Sequence, residues 1–231
     1  MKDFDFPVLR RSARHHGGLG IFLVCLGLTS PMVVACSQGV GEGSVKSDRL
    51  YVRNCWNYSF DLGPTFFGAN PFSSDVIAIR VQRGDDNQEV SDGLTVMVND
   101  VQAIRTDIHD SGKAQTLDVG LPPGVTPSGI PLQANPNPPE VSLTLYLQDT
   151  CHLQNGVIYS IQGKITFQHL FSGNPNETNS DDRLTDASFD ATFADPRDMA
   201  SDHTFSGDVT SHVTGWFKFY FQRGQPAQPF P

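Results

Sequence analysis

Short runs of alternating apolar and polar side chains, broken every ten residues or so by Gly, Pro, Asn and Asp, dominate the chain from Arg49 onward and predict strands. In DVIAIRVQRG (75–84) Val76, Ala78 and Arg80 oppose Ile77, Ile79 and Val81. LTVMVNDV (94–101) repeats the texture after the turn-like Ser91-Asp92-Gly93. VSLTLYLQ (141–148) sets Val141, Leu143, Leu145 and Leu147 on one face and Ser142, Thr144, Tyr146 and Gln148 on the other, the signature of a half-buried strand. VIYSIQGKITFQHLF (157–171) alternates around Gly163, a predicted bulge or bend. LTDASFDATF (184–193) and FSGDVTSHVTGWFKFYFQRG (205–224) add further strands, the last rich enough in aromatics to be central.

No stretch sustains a helical period; short turns are expected at 64–69 and 196–200. The pattern predicts an all-β domain of about eight to ten strands, a single antiparallel β-sandwich of jelly-roll or Ig-like type, with a barrel as the lesser option. GLPPGVTPSGIPLQANPNPPE (120–140), with seven prolines, is expected to be a long loop inside that domain. Ahead of it, SQGVGEGSVKSD (37–48) is small, polar and glycine-rich and reads as a flexible tether.

The first 35 residues have a different texture. Arg10, Arg11, Arg14, His15 and His16 precede an apolar run from Ile21 to Ala35, interrupted by Gly27, Ser30 and Pro31 and shorter than the roughly 20 residues of a spanning helix. A cationic start followed by a short apolar core predicts a signal peptide. Its end, Val33-Val34-Ala35-Cys36, resembles the lipobox of bacterial lipoproteins. That resemblance implies cleavage before Cys36, a diacylglycerol on its sulfur, and anchoring to a membrane through lipid. Each buried methylene contributes about 0.8 kcal/mol, so two or more chains hold firmly. Ser37 is not acidic, which by the same resemblance points to the outer membrane of a Gram-negative cell; simple secretion is the alternative. The expected organisation is therefore leader 1–35, tether 36–48 and folded domain 49–231.

Charge and cysteine content follow from that division. The chain has 16 basic and 25 acidic side chains, and Lys2, Arg10, Arg11, Arg14, Asp3 and Asp5 leave with the leader, so the remainder carries about −11. No cluster of Lys and Arg follows Cys36, which argues against nucleic acid as a partner. Cys25 leaves with the leader and Cys36 is taken by lipid. Cys55 and Cys151 remain, and in an oxidising compartment the pair is expected to form a disulfide.

Candidate chemistry is sparse. HLFSGNPNETNSDDRLT (169–185) gathers Asn174, Asn176, Glu177, Asp181 and Asp182, hard oxygens of the kind that hold Ca²⁺, although the EF-hand spacing is absent and a solvated loop is the simpler reading. Calcium is the one cofactor these residues suggest. RGDDNQEVSDG (83–93) contains Arg83-Gly84-Asp85, a tripeptide that is also ordinary turn chemistry. His109, His152, His169, His203 and His212 form no catalytic or metal motif, so no catalytic residue is assigned. Trp56, Tyr58, Tyr146, Trp216 and Tyr220 are the candidates for stacking on sugars.

Three functions remain open on the sequence: an anchored structural or binding protein of the envelope, a carbohydrate- or protein-binding adhesion module, and a hydrolase assembled from distant strands. FFGANPFSSDVIAIRVQRGDDNQEVSDGLTV, GKITFQHLFSGNPNE, RLTDASFD with DPRD, and FKFYFQRGQPAQPFP resemble segments of uncharacterised exported proteins of predatory and soil-dwelling Gram-negative bacteria. The resemblance implies export and one folded unit, and brings no activity, ligand or site residue.

Overall fold

The computed structural model describes residues 41–84, 91–122, 125, 139–152 and 156–222. The leader, Cys36 and positions 37–40 lie outside them.

Ten strands carry the fold: β1 (Gly41–Val52), β2 (Trp56–Asp61), β3 (Phe66–Pro71), β4 (Val76–Gln82), β5 (Asp92–Asn99), β6 (Gln115–Gly120), β7 (Val141–Leu147), β8 (Val157–His169), β9 (Leu184–Ala194) and β10 (Thr210–Tyr220). A helix, α1 (Val101–Ser111), follows β5, and a single helical turn, α2 (Ser180–Arg183), precedes β9. The strands form one hydrogen-bonded sheet in the order β2-β1-β10-β9-β8-β6-β7-β5-β4-β3, curled into a half-barrel. All neighbours are antiparallel except β6 and β7, which pair in parallel at Val119 with Val141 and Gly120 with Ser142.

The expected strands are present, but the expected two-layer, purely antiparallel sandwich is not what they build. Alternation along a strand says which side chains turn inward and nothing about which strands pair. A sheet curled on itself buries its inner face as two stacked sheets would. Inside lie Val45, Leu50, Ile77, Ile79, Leu94, Val96, Leu143, Leu145, Ile165, Phe167, Phe189, Phe193, Phe217 and Phe219.

Three local expectations are corrected. The supposed tether is strand from Gly41 onward, paired with β10 from Gly41 opposite Phe219 to Lys46 opposite Thr214. Its glycines are there for packing: a Cβ on Gly41 would stand 2.7 Å from the Phe67 ring, and one on Gly43 2.9 Å from it. Phe67 of β3 lies over this bare backbone, its ring centroid 6.2 Å from that of Phe219, and so joins one end of the curl to the other. Second, β5 stops at Asn99, and Asp100 takes a left-handed conformation (φ 61°) that turns the chain into α1. Only Val101 and Ile104 of that helix are buried, with Ile108 partly so, a stripe too narrow to register as a period in sequence. Third, the turn expected at 64–69 gives way to β3 from Phe66, whereas that at 196–200 holds a 3₁₀ turn, Pro196–Asp198.

Gly163 has φ +144°, and the pairing of β8 with β9 shifts register between Ser160 and Gln162, so the expected bend is present. Cys55 and Cys151 form the disulfide, with Cα atoms 5.8 Å apart. Most of the proline-rich stretch and residues 85–90 lie outside the described residues.

Candidate functional site

Five strands of the curl, β1, β10, β9, β8 and β6, turn one face to solvent. Because Phe217 and Phe219 point inward, Trp216, Lys218 and Tyr220 of β10 point outward. Register extends these positions into rows across the strands. Ser44, Trp216, Ser188, Thr166 and Thr116 form one row. Thr214, Asp190, Lys164 and Asp118 form the next, with Glu42, Lys218 and Asp186 on the other side. At about 4.8 Å between strands, the tryptophan row spans roughly 19 Å.

Charges on this face are matched locally. Lys218 Nζ is 3.0 Å from Asp186, Lys164 Nζ 2.7 Å from Asp118, and His212 Nε2 2.7 Å from Asp190. The Asp186 carboxylate beside Lys218 accepts its hydrogen bond and raises the lysine's pKa. Thr116 and Thr166 share a hydroxyl hydrogen bond of 2.9 Å. Trp216 and Tyr220 stand out from this surface at 43% and 44% exposure.

The other aromatic candidates lie elsewhere. Trp56 and Tyr58 meet edge to face, 5.6 Å between centroids, on edge strand β2, where Tyr58 pairs with Leu50 of the inner face. Tyr146 is buried. Its ring fills the space over Gly93, where a Cβ would come within 2.2 Å of the phenol oxygen. That oxygen accepts a 2.6 Å hydrogen bond from Arg80 Nε, and burial pushes the phenol's pKa up against the lowering influence of the guanidinium.

The loop proposed for calcium is occupied with its own bonding. Glu177 accepts from Ser172 Oγ (3.0 Å) and from the backbone N–H groups of Thr178 and Asn179, which hold its carboxyl below the usual range. Asn174 Oδ1 accepts from the Asn176 N–H, and Asn179 Oδ1 from that of Asp181. Asp182 is shared between Arg105 of α1 and Asn179. Gln102 Nε2 completes the latch by bonding the Ser74 and Ser172 carbonyls. The strap borders an open groove of about 650 Å³ beside the exposed Phe72. Among the described residues no three His, Cys, Asp or Glu side chains gather to hold a metal.

Arg83 is likewise engaged within the chain, donating to the Leu62 carbonyl (2.7 Å) and lying 3.8 Å from Asp92 with its side chain 43% exposed; Asp85 lies outside the described residues. His109, His152, His169, His203 and His212 are all exposed and sit on different elements. The ring hydrogen bonds of the described residues join two of these imidazoles to carboxylates, His109 to Asp110 and His212 to Asp190, and none to a serine hydroxyl; Ser47 Oγ donates to the His212 backbone carbonyl. No nucleophile, base and orienting acid converge there.

One polar cluster escaped the sequence reading. Asp195, fully buried, caps the 3₁₀ turn through the Arg197 N–H (2.9 Å) and accepts from Arg197 Nε (2.8 Å). Arg53 reaches across to the Arg197 carbonyl and to Asp198, whose carboxyl burial pushes up. The sequence signal was the Asp-Pro-Arg-Asp string itself, an N-cap followed by proline at the first helical position. Its role is to pin the loop between β9 and β10 against the turn after β1. No family model, no curated protein and no solved structure matches the chain.

Proposed function

We propose that the protein is a lipid-anchored component of a Gram-negative cell envelope, held at the outer membrane through Cys36, and that its folded domain binds and does not catalyse. The observation that carries the reading is the Cys55–Cys151 disulfide, since such bonds form and persist in exported compartments and are rare in the cytosol of mesophiles. The lipobox-like Val33-Val34-Ala35-Cys36 supplies the anchor. The scattered, solvated histidines and the solvated outer face of the sheet favour binding over hydrolysis.

The test is incorporation of radiolabelled palmitate by the chain expressed in a Gram-negative host. The wild-type chain is expected to take up label and fractionate with the outer membrane, and Cys36→Ser to do neither. An unlabelled wild-type chain that still begins at Met1 would overturn the anchor and the compartment with it.

A further inference from the structure

We infer that the outer face of β1, β10, β9, β8 and β6 is a platform for an uncharged, extended glycan, with Trp216 as its central stacking residue and Tyr220 as a second. The inference rests on the reading of the domain as a binding module and names the ligand class.

The first argument is electrostatic. The whole chain has a net charge of −9, yet on this face Lys218, Lys164 and His212 each meet a carboxylate within 3.0 Å. With Lys218 and Lys164 committed to carboxylates and Glu42 adding a further one, the face has no free cation to offer an anionic ligand, and the bound lysines blunt its pull on a cation. It complements a ligand that is neutral and rich in hydroxyls.

The second argument is the arrangement of groups. Trp216 lies in a row with Ser44, Ser188, Thr166 and Thr116, so an indole is flanked along the row by four hydroxyls that both donate and accept. Sugar rings have the same division, an apolar C–H face and a rim of hydroxyls. The indole takes the face and the row takes the rim. Tyr220 stands four residues along the same strand, roughly 13 Å away, so the two aromatics engage separate rings of one chain.

The third argument is shape. Small hydroxyl side chains make up the rest of the Trp216 row, and Lys218 between the two aromatics is tied across strands to Asp186. A long, straight polymer can lie on such a face, whereas a folded protein would need the apolar centre typical of stable interfaces.

The test uses the full chain in detergent, with cellohexaose and chitohexaose as probes. The chain has two tryptophans, so in a Trp56→Phe background the indole emission reports Trp216 alone. At least one hexasaccharide is expected to shift that emission, with an affinity unchanged by salt. In the native background, followed by calorimetry, Trp216→Ala should weaken binding by about tenfold or more, as truncation of an aromatic anchor does. Tyr220→Ala should weaken it less, and Tyr58→Ala, on the opposite face, should leave it unchanged. If Trp216→Ala disturbs the circular dichroism, Ser188→Glu replaces it, introducing a charge beside an intact indole, and should also weaken binding.

No response to either sugar, binding that survives Trp216→Ala or Ser188→Glu in folded protein, or binding abolished by salt would overturn the platform. Palmitate labelling intact with sugar binding absent removes this inference alone; the reverse removes the anchor alone.

Discussion

The two halves of the curl bury their strands differently. In β1, β10, β9 and the later part of β8, each inward residue is followed by one in water, and the sequence alternates accordingly. In each of β4 and β7 all but one residue is buried, as are five of the eight in β5, and the buried ones include Arg80 at 2%, Gln82 at 1%, Ser142 at 3% and Tyr146 at 3%. The first half is therefore free to present a polar face. In the second, polar side chains must satisfy one another because water does not reach them, and Arg80, Tyr146 and Gln82 do so in a chain of hydrogen bonds.

The disulfide links the two halves, joining the turn before β2 at one end of the sheet to the turn after β7. Asp92 shapes the second turn, with one carboxylate oxygen accepting from the N–H groups of Asp149 and Thr150 at 3.1 and 3.0 Å. The cysteines are 96 residues apart, and the chain-entropy model gives about 4–5 kcal/mol for closing such a loop. The double variant Cys55→Ser, Cys151→Ser is expected to lose stability of that order in urea unfolding. It should fall to the level of the reduced wild-type protein. A loss below about 1 kcal/mol would mean that the halves are joined mainly by the continuous sheet and by Phe67 packed over β1.

The same contrast sets what could be read in advance. Strand positions β4, β5, β7, β8, β9 and β10 followed from alternation. Ser142 and Tyr146 were misplaced on a solvated face because alternation assumes that the polar side meets water. Gly41, Gly43 and Gly93 misled for a related reason: glycine in sequence signals a loop, but here each leaves room for an aromatic ring from another strand, Phe67 or Tyr146. Those partners lie far off in sequence. The cysteine pair was legible because subtraction left two. The aromatic platform was half legible: Trp216 and Tyr220 stood among the candidates, but only register brings Ser44, Ser188, Thr166 and Thr116 into their row.

A matched pair of substitutions sharpens the comparison at smaller cost. Tyr146→Phe removes the acceptor for Arg80 Nε and the donor to Gln82 in a site with no water access, so it is expected to destabilise by about 1–3 kcal/mol. Tyr220→Phe removes the same atom from the outer face and should fall within about 0.5 kcal/mol of wild type. Chemical denaturation of both variants decides the matter. Equal effects would show that burial on both faces gives the Arg80 network no special weight.

The smallest effect belongs to the ion pairs of the outer face. Lys164 and Asp118 are 2.7 Å apart, but their side chains remain 63% and 86% exposed. At that exposure water screens the attraction, and ordering a long lysine offsets much of what is left, so exposed pairs contribute about 0–1 kcal/mol. Lys164→Ala should therefore shift the urea midpoint little, and less at high salt. In binding, too, the effect should be small: an uncharged hexasaccharide does not respond to the charge left on Asp118, so its affinity should stay independent of salt in Lys164→Ala as in the wild type. A large loss of stability in Lys164→Ala would instead make the paired charges part of what holds β6 to β8, and the division between a packed half and a presenting half would fail at that seam.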